Sequence, residues 1–350
     1  MISVSVAMAT HNGERFIREQ LESLAAQDCL PSELVITDDG SEDQTVAIAE
    51  QFAKSAPFRV NIYRGSERLG FRANFMRAAN LCACELIAFC DQDDVWSPRK
   101  LARCIEPFRD PTVLLAYHNA HVVTEAGEPH DSLDHFGAAP IRPPLSCYPI
   151  RWMQYPLGFT EVFHRSILKF SDLWQMSSDY CDLTAPMGHD QWVFFIASVF
   201  GSIAYIDEAL VSYRQHGANT VGWGGRPHTG LLINPCEAMP SLRQVAERCA
   251  SILEKATDNL VDEWRHRAIV GAPRYRLLAE FYTAREELYR SPVFSERVKA
   301  FHRIISTGGY RPMRMGGLGR IALARDFCLG LPAAHLLKPS RDRALFSRYS

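Results

Sequence analysis

The stretch ELIAFCDQDDVWSPRKL, Glu85 to Leu101, joins a short apolar run to a dense group of acids. Leu86 to Cys90 has the length and composition of a buried strand, and Asp91, Asp93 and Asp94 follow it. Carboxylates this close together repel one another and lose solvation at the end of a buried strand. The sequence therefore predicts that a positive charge offsets them at this point.

Three strand-helix pairs precede this run. We predict their strands at Ile2–Met8, Glu33–Thr37 and Phe58–Tyr63, and we expect Ser41 to cap the second helix. With the run at Glu85–Cys90, the alternation occurs four times. It predicts a Rossmann-like α/β fold with a mixed, mainly parallel sheet and helices on both faces.

Polar residues follow three of the predicted strands, as Ala9-Thr10, Asp38-Asp39 and Asp91-Gln92-Asp93. The carboxyl ends of parallel strands meet at one edge of a sheet, where ligands of such folds gather. We therefore expect these residues to lie together at a binding site.

The second half of the chain does not continue the regular strand-helix alternation. We predict a surface excursion over Thr124–Pro156, a buried helix at Gln191–Phe200, and two strands at Ile203–Ile206 and Leu210–Tyr213. The glycine-rich stretch GWGGRPHTG, residues 222–230, indicates a connection. We divide the chain there into an α/β domain, residues 1–222, and a helical, basic C-terminal region, residues 223–350.

Composition narrows the class of protein. Of 350 residues, 47% are hydrophobic, which is typical of a globular protein. The net charge of -2 by itself argues neither for nor against a nucleic-acid partner, and we predict none. The ten cysteines form no metal-binding pattern, and the start MISVSVAMATHNGERF lacks the features of a signal peptide. We expect a cytoplasmic protein.

The final segment is strongly basic. Residues 291–350 hold eleven Lys and Arg against three Asp and Glu. A segment of this kind could make peripheral contact with anionic headgroups at the inner face of the cell membrane, and a solvated terminus explains the balance at least as well. A homodimer contact and a cover for the acceptor site also stay open.

The motifs exclude several chemistries. The chain has no G-x-x-x-x-G-K-[ST] loop, no G-x-G-x-x-G fingerprint, no H-E-x-x-H and no G-x-S-x-G. Asp91-x-Asp93 remains, and carboxylates at this spacing suit Mg²⁺ or Mn²⁺ together with substrate phosphates. A solvated turn is the alternative for any isolated pair of this kind.

Two longer stretches carry a family resemblance. SVAMATHNGERFIREQLESLAAQDCLPSELVITDDGSEDQT, from Ser5, and GFRANFMRAANLCACELIAFCDQDDVWSPRKL, from Gly70, resemble the family 2 glycosyltransferases of GT-A fold. The resemblance is strongest to bacterial rhamnosyltransferase-like members and covers about two thirds of the chain, Met1 to Gly222. It implies a nucleotide-sugar-dependent enzyme.

The resemblance also implies roles for residues of the first half. Asp39 would accept a hydrogen bond from the imide N–H of uracil or thymine, Asp91 would face the ribose and the metal, and Asp93 would bind the metal directly. The remaining positions implied for nucleotide binding are Ala9, Thr10, Asn12, Gly70 and Asn74.

Further roles fall in the second half. MGHDQWVFFIASVFG, from Met187, places Asp190 at the acceptor as general base, with a helix N-cap as its alternative role. His189 would bind acceptor or orient Asp190. In YRQHGANTVG, from Tyr213, His216 would approach the metal or the diphosphate and Arg214 would offset phosphate charge.

These expectations together predict an inverting, metal-dependent glycosyltransferase. It would move a sugar, rhamnose in the first instance, from a UDP- or dTDP-sugar to a cell-surface glycan or a lipid-linked acceptor. The alternatives are a non-catalytic nucleotide-sugar-binding scaffold and a nucleotidyltransferase, although the latter usually has a glycine-rich basic loop that THNGERF does not provide.

Overall fold

The computed structural model describes residues 2–133, 156–179, 182–217, 219, 239–260, 262–311 and 318–333. Nine strands form one sheet. They are β1 (Val4–Thr10), β2 (Glu33–Asp38), β3 (Arg59–Arg64), β4 (Leu86–Cys90), β5 (Val95–Trp96), β6 (Val113–Val123), β7 (Pro129–Leu133), β8 (Glu161–His164) and β9 (Ser202–Arg214).

The longer helices alternate with these strands at first and then follow one another. They are α1 (Ile17–Ala25), α2 (Thr45–Ala53), α3 (Phe71–Leu81), α4 (Lys100–Ile105), α5 (His189–Phe200), α6 (Met239–Ala256), α7 (Asp262–Arg290), α8 (Phe294–Ser306) and α9 (Gly319–Arg325). Short 3-10 turns lie at Glu106–Arg109, Gly158–Thr160, Arg165–Met176 and Thr257–Asn259, and a π-helical turn, Asp326–Gly330, precedes a short helix, Leu331–Ala333.

The strand order is β3-β2-β1-β4-β8-β6-β9-β5, and β7 pairs with β6. The block β3-β2-β1-β4 is parallel, while β8 runs antiparallel between β4 and β6. β6 and β9 are parallel to each other. This mixed α/β sheet flanked by helices confirms the predicted fold class.

Alternate residues of the central strands face opposite sides of the sheet, and both sides are buried. Ala7, Val35 and Phe89 pack into a core shared with α3 and α5, whereas Met8 and Ile36 pack into a second core shared with α1. A strand covered on both faces must be apolar at every position. This requirement explains why these strands read as continuous apolar runs in the sequence.

The helical C-terminal region is part of the first core. α6 and α7 pack along each other, and α7 also packs against α5. The Trp264 ring of α7 lies 5.1 Å from the ring of Phe200 and 5.7 Å from that of Phe170. The predicted connection at 222–230 lies outside the described residues, so the domain boundary stays a prediction.

A buried ionic cluster fixes the last described segment to α7. Both guanidinium nitrogens Nε and Nη2 of Arg285 donate to Asp326 at 2.7 Å, and the hydroxyls of Tyr289 and Tyr310 donate to the same carboxylate at 2.9 and 2.8 Å. Asp326 is fully buried. Four charge-assisted hydrogen bonds offset the cost of burying that carboxylate.

Two local predictions were wrong. The segments predicted as separate strands at Ile203–Ile206 and Leu210–Tyr213 form the single strand β9, because register shifts opposite Asn119 accommodate the polar residues between them. Asn119 donates to Asp207 in this irregular stretch at 3.0 Å. Ser41 does not cap α2, which begins at Thr45.

Part of the predicted surface excursion, Thr124–Pro156, is the strand β7, which pairs with the end of β6. Residues 134–155 of that excursion lie outside the described residues. Within the part of the chain that the structure describes, none of the helices has the length and apolar character needed to cross a bilayer.

Candidate active site

The ends of β1, β2 and β4 meet at one edge of the sheet. Thr10 pairs with Asp38 in register, and Met8 pairs with Cys90, so the loops after the three strands leave the sheet side by side. Gln92 donates to the backbone oxygen of His11 and accepts from its N–H, both at 3.0 Å. The structure thus brings together the three polar groups that the sequence predicted to meet.

The first two loops are held to each other by short polar side chains. Thr10 donates to Asp38 at 2.9 Å, and the same carboxylate accepts from the backbone N–H of Ser41 at 2.9 Å. Asn12 adopts a left-handed backbone, with φ of 47°. Its N–H donates to Ser41 and its side-chain oxygen accepts from the N–H of Glu42, both at 2.9 Å. Thr10, Asp38 and Asn12 therefore shape the edge, beside the half-buried Ala9.

Asp39 connects β2 to the start of α3. Its two carboxylate oxygens accept from the backbone N–H groups of Leu69 and Gly70, at 2.6 and 2.8 Å. Gly70 is the N-cap of α3 and has φ of 80°, a conformation that side-chain-bearing residues rarely adopt. Each carboxylate oxygen can accept a second hydrogen bond. Asp39 can therefore hold this loop and still accept from a nucleobase.

Asn74 lies beneath the edge of the sheet. It is 1% exposed, and its amide nitrogen donates to the backbone oxygens of Thr37 at 2.8 Å and Thr10 at 3.4 Å. Thr37 in turn donates to the Asn74 backbone oxygen at 3.0 Å. The amide nitrogen thus fastens α3 to the ends of β1 and β2, while the amide oxygen has no partner among the described residues, and the nucleotide contact stays a prediction.

We call the loop after β4, which carries Asp91, Asp93 and Asp94, the acidic loop. Nearby positive charge does not fully offset the charge of its carboxyl groups. Burial, followed by the charges of Asp93 and Asp190, raises the pKa of Asp91 to about 8. Asp94 is fully buried, and burial together with the charges of Asp93 and Asp91 raises its pKa well above the ordinary value. A carboxyl whose proton is held this way can exchange it for a divalent cation.

A buried lysine supplies one positive charge beneath this loop. Lys100 of α4 is fully buried, its Nζ donates to the backbone oxygen of Phe159 at 2.5 Å and lies 3.5 Å from the centre of the Trp96 ring. Burial lowers the pKa of Lys100 to about 8, while the charges of Asp94 and Asp91 act in the opposite direction. The Lys100 ammonium therefore supplies part of the positive charge that the sequence predicted close to Asp91, Asp93 and Asp94.

His216 lies against the acidic loop from the end of β9. Its Nε2 is 2.8 Å from Oδ2 of Asp93, and its ring centre is 4.7 Å from that of Phe16. The structure therefore brings together two of the three residues predicted at the metal, Asp93 and His216, although they are far apart along the chain. Within the described residues, no group of three or more His, Cys, Asp or Glu side chains forms a complete metal cage.

Arg214 is a structural clamp and not an open phosphate contact. Its guanidinium donates to the backbone oxygens of Asp93 at 3.0 Å and Glu125 at 2.8 Å, and to the carboxylate of Glu19 at 2.6 Å. Its backbone N–H donates to Asp94 at 3.1 Å. This corrects the predicted contact with the diphosphate, because the side chain is only 5% exposed and each of these donors already has an acceptor.

Asp190 lies in the first turn of α5, near the acidic loop. The N-cap of α5 is Gly188, so the alternative role of Asp190 as N-cap is wrong. Its Oδ1 accepts from the N–H of Gln191 at 2.8 Å. Burial raises the pKa of Asp190 to about 6, against the lowering effect of backbone hydrogen bonds and of Arg72. A carboxylate with this pKa is ionised at neutral pH and is a stronger base than an ordinary aspartate.

His189 is a packing residue. Its ring stacks on Phe75 with centres 4.0 Å apart and meets the Phe89 ring edge-on at 4.6 Å. Neither ring nitrogen has a hydrogen-bond partner among the described residues, and burial lowers its pKa to about 3. The predicted role in acceptor binding is corrected, because this neutral ring is enclosed by aromatic side chains.

Gly158 makes room for this ring. A Cβ atom at Gly158 would lie 2.4 Å from Nε2 of His189, closer than real atoms approach. The short 3-10 turn at Gly158–Thr160 therefore packs directly on the first residue of α5. The same turn supplies the Phe159 oxygen that accepts from Lys100, so it joins the start of α5 to the start of α4, which follows the acidic loop.

Glu161, the first residue of β8, is a buried acid beside Asp190. Its side chain is fully buried, and neither carboxyl oxygen has a hydrogen-bond partner among the described residues. Burial and then the charge of Asp190 raise its pKa well above the ordinary value. Glu161 therefore keeps its proton to a higher pH than an ordinary glutamic acid.

With this geometry in place, comparison with known proteins is decisive. A model of glycosyl transferase family 2 matches residues 5–176, which include the edge loops, the acidic loop and Glu161. Over residues 5–176 the chain is similar to glycosyl transferase family 2. This similarity confirms the resemblance seen in the sequence.

The curated relatives match this chain over only part of its length and of theirs. The chain is 27% identical to the uncharacterized protein Rv1520 of Mycobacterium tuberculosis over 61% of this chain and 59% of that protein. It is 38% identical to the dTDP-rhamnosyl transferase RfbG of Shigella flexneri over 28% of this chain and 36% of RfbG. The chain thus spans about three fifths of the first relative and about a third of the second.

Solved structures show the same fold. The crystal structure of S. aureus TarS 1–349 superimposes with a TM-score of 0.52 at 18% identity, covering 87% of this chain and 80% of that one. At this level of identity the likeness concerns the fold alone.

Sequence reasoning missed two buried titratable groups of this site, Lys100 and Glu161. Lys100 lies on the apolar side of α4 with Leu101 and Cys104, so a lysine in an apolar register was the available signal. Glu161 stands in the otherwise apolar stretch GFTEVF. An acid within a buried strand was the signal there, since such groups are rarely buried without a function or a partner.

Proposed function

We propose that this family 2 glycosyltransferase is an inverting, metal-dependent enzyme that transfers a sugar from a UDP- or dTDP-sugar. The acceptor we propose is a hydroxyl group of a cell-surface glycan or a lipid-linked intermediate. The observation that carries the proposal is the convergence of Asp91, the Asp93–His216 pair and the base Asp190 at one edge of the sheet. The cytoplasmic location stays a prediction.

The residues at the acidic loop fit a hard divalent cation. Mg²⁺ and Mn²⁺ are commonly held by one or two carboxylates together with substrate phosphates, so a complete protein cage is not needed. Asp93 and Asp91 would hold the ion, and His216, bonded to Asp93, is the third candidate. When bound, the cation neutralises charge that develops on the diphosphate leaving group.

Asp190 performs the proton transfer in this proposal. Ionised at neutral pH, it accepts the proton of the acceptor hydroxyl as that oxygen forms a bond to the anomeric carbon. The bond between the anomeric carbon and the diphosphate oxygen breaks on the opposite side, so the configuration inverts. The nucleoside diphosphate leaves with the bonding electron pair.

The donor class is argued from Asp39 and from relatives. Uracil and thymine both present an imide N–H, and the Asp39 oxygens retain the capacity to accept it. TarS has been crystallised with UDP-GlcNAc, and RfbG is named as a dTDP-rhamnosyl transferase. dTDP-rhamnose is therefore the donor to test first.

The test is release of nucleoside diphosphate by the purified protein with Mn²⁺, across UDP- and dTDP-sugars. We expect release from one donor, loss of metal-dependent release in Asp93→Asn, and loss of turnover with retained donor binding in Asp190→Asn. Asp258→Asn, at an exposed position in the C-terminal region, is the matched control.

Three results would contradict the proposal. Failure of every nucleotide sugar to bind, with or without Mn²⁺, would exclude it. Donor binding with full turnover in Asp190→Asn would leave a transferase that uses another base. Donor binding without turnover, even with candidate acceptors supplied, would favour the non-catalytic scaffold.

A further inference from the structure

Large apolar side chains are exposed mainly in one short part of the chain. Eleven such side chains are exposed among the described residues, and six of them fall between residues 293 and 327. We call these six the C-terminal apolar patch: Val293, Phe294, Val298, Ile305, Ile321 and Phe327. The other five are spread over the rest of the described residues.

Three members of the patch share one side of α8. At about 100° per residue, Phe294, Val298 and Ile305 project within roughly 40° of one another. They are 58%, 41% and 48% exposed. The buried side of α8, which includes Ala300 and Ile304, already packs into the core. The apolar surface of α8 is therefore wider than the side of the helix that packs against the rest of the chain.

The segment after α8 extends this surface. Phe327, 61% exposed, lies with its ring 6.2 Å from that of Phe301 on α8. Arg297 donates from Nε to the backbone oxygen of Leu331 at 3.0 Å and lies 5.6 Å from the Phe294 ring centre. The segment is thus fastened beside the apolar side of α8 and adds its own exposed aromatic ring.

The described residues that carry the patch hold more exposed cations than exposed acids. Lys299, Arg311 and Arg320 are exposed, and Arg303 of α8 is paired with Glu287 of α7. The acids of the described residues between 291 and 333 are Glu296 and Asp326, and Asp326 is buried against Arg285.

Exposed aromatic and aliphatic side chains with a cationic surround fit the surface of an anionic bilayer. The apolar groups can enter the boundary between headgroups and acyl chains, and the cations remain at the phosphates. A symmetric second copy is a poorer partner, because an isologous contact would bring the same cations of both copies together. We propose that the C-terminal apolar patch docks this protein peripherally on an anionic lipid surface.

The experiment is flotation of the full chain with vesicles of phosphatidylcholine alone or mixed with phosphatidylglycerol. We expect flotation with the anionic vesicles, weakened by salt, and at least a tenfold loss in the triple variant Phe294→Ser/Val298→Ser/Phe327→Ser. Lys299→Glu/Arg320→Glu should also lose binding. Leu30→Ser/Ile269→Ser, which removes exposed apolar groups elsewhere, should bind as the parent does.

Several results would overturn the proposal. They are equal flotation with neutral vesicles, absence of flotation with anionic ones, and unchanged binding by the triple variant. Light scattering that shows a dimer abolished by the triple variant, with no vesicle binding, would assign the patch to a second copy instead. Thermal unfolding confirms that each variant is folded. Flotation requires no turnover, so its outcome is independent of the proposed function.

Discussion

At the scale of single residues, burial sets the protonation of neighbouring groups in different directions. Asp190 has a pKa of about 6 and is a usable base, the pKa of Glu161 beside it is raised well above its ordinary value, and His189 before it stays neutral at physiological pH. Three neighbouring titratable groups thus ionise in different pH ranges. Environment, and not residue type, selects the one suited to accept a proton.

The pKa of Asp190 predicts the pH dependence of transfer. Only the ionised carboxylate can act as base, so kcat/KM should fall about tenfold per pH unit below about 6 and level off above about 7. Initial rates at saturating Mn²⁺ between pH 5 and 8 test this. A rate that is flat across this range would remove Asp190 from the proton transfer.

Glu161→Gln should stabilise the protein, and increasingly so at higher pH. The folded-state pKa of Glu161 lies above its ordinary value of 4.5, so stability is lost as pH rises above 4.5 and the unfolded state ionises. The loss is up to about 1.4 kcal/mol per pH unit until the folded pKa is reached. Urea unfolding at pH 5 and pH 8 should show a larger gain for the variant at pH 8. An equal or smaller gain at pH 8 would mean that Glu161 ionises normally.

Lys100→Met should stabilise the fold at pH 7 by about 1 to 3 kcal/mol, because burial lowers the pKa of Lys100 to about 8 and its charged form therefore favours the unfolded chain. Lys54→Met, at an exposed position after α2, is the matched control and should be nearly neutral. Urea unfolding of both variants at pH 7 measures the difference. A loss of stability in Lys100→Met would show that Asp91 and Asp94 are ionised and need this counter-charge.

At the scale of elements, the site depends on direct contact between a turn and a helix. The turn Gly158–Thr160 packs on the first residue of α5 and also accepts the hydrogen bond of Lys100. It therefore couples the helix that carries Asp190 to the loop that carries Asp91 and Asp93. A displacement of either element would separate the base from the acidic loop.

Gly158→Ala tests this coupling. The added Cβ would meet His189 at 2.4 Å, so α5 or the turn must move, and we expect kcat to fall at least tenfold. His189→Ala in the same chain should restore part of the loss by making room. Gly217→Ala, where a Cβ would meet nothing within 4 Å, is the control. Full activity in Gly158→Ala would show that the contact is loose.

At the scale of the whole molecule, the α/β sheet and the C-terminal helices form one core. Phe89 of β4 and Leu278 of α7 belong to the same buried cluster, and the Arg285–Asp326 pair fixes the last described segment to α7. The C-terminal helices thus support α5 from behind. We expect the two regions to unfold together.

Asp326→Asn tests that cooperativity. It removes the charged partner of buried Arg285 and should cost about 3 to 5 kcal/mol. Circular dichroism and tryptophan fluorescence should report one transition, shifted as a whole to lower denaturant. Two separate transitions, with only one of them shifted, would mean that the helical region folds independently.

The sequence alone predicted the features of the fold and the site that depend on a local pattern of residue types. The strand-helix alternation from β1 to β4 and the meeting of their polar ends follow from periodicity and from the geometry of parallel strands. It could not predict contacts between distant segments. Arg214 looked free for phosphate because its partners Glu19 and Glu125 are far away along the chain, and His189 looked reactive because its aromatic enclosure comes from α3 and β4.

The strand order also determines which strands form the two edges of the sheet. β3, at one border, carries Arg59 and Arg64, which pair with Glu33 and Glu50, and at the other border β5 is only two residues long. An exposed edge strand has unpaired backbone N–H and C=O groups that can pair with a strand of another molecule. Charged side chains on the edge strand, or a very short edge strand, disfavour such pairing. The protein can thus keep a wide, apolar sheet at high concentration in a cell without recruiting foreign strands into growing aggregates.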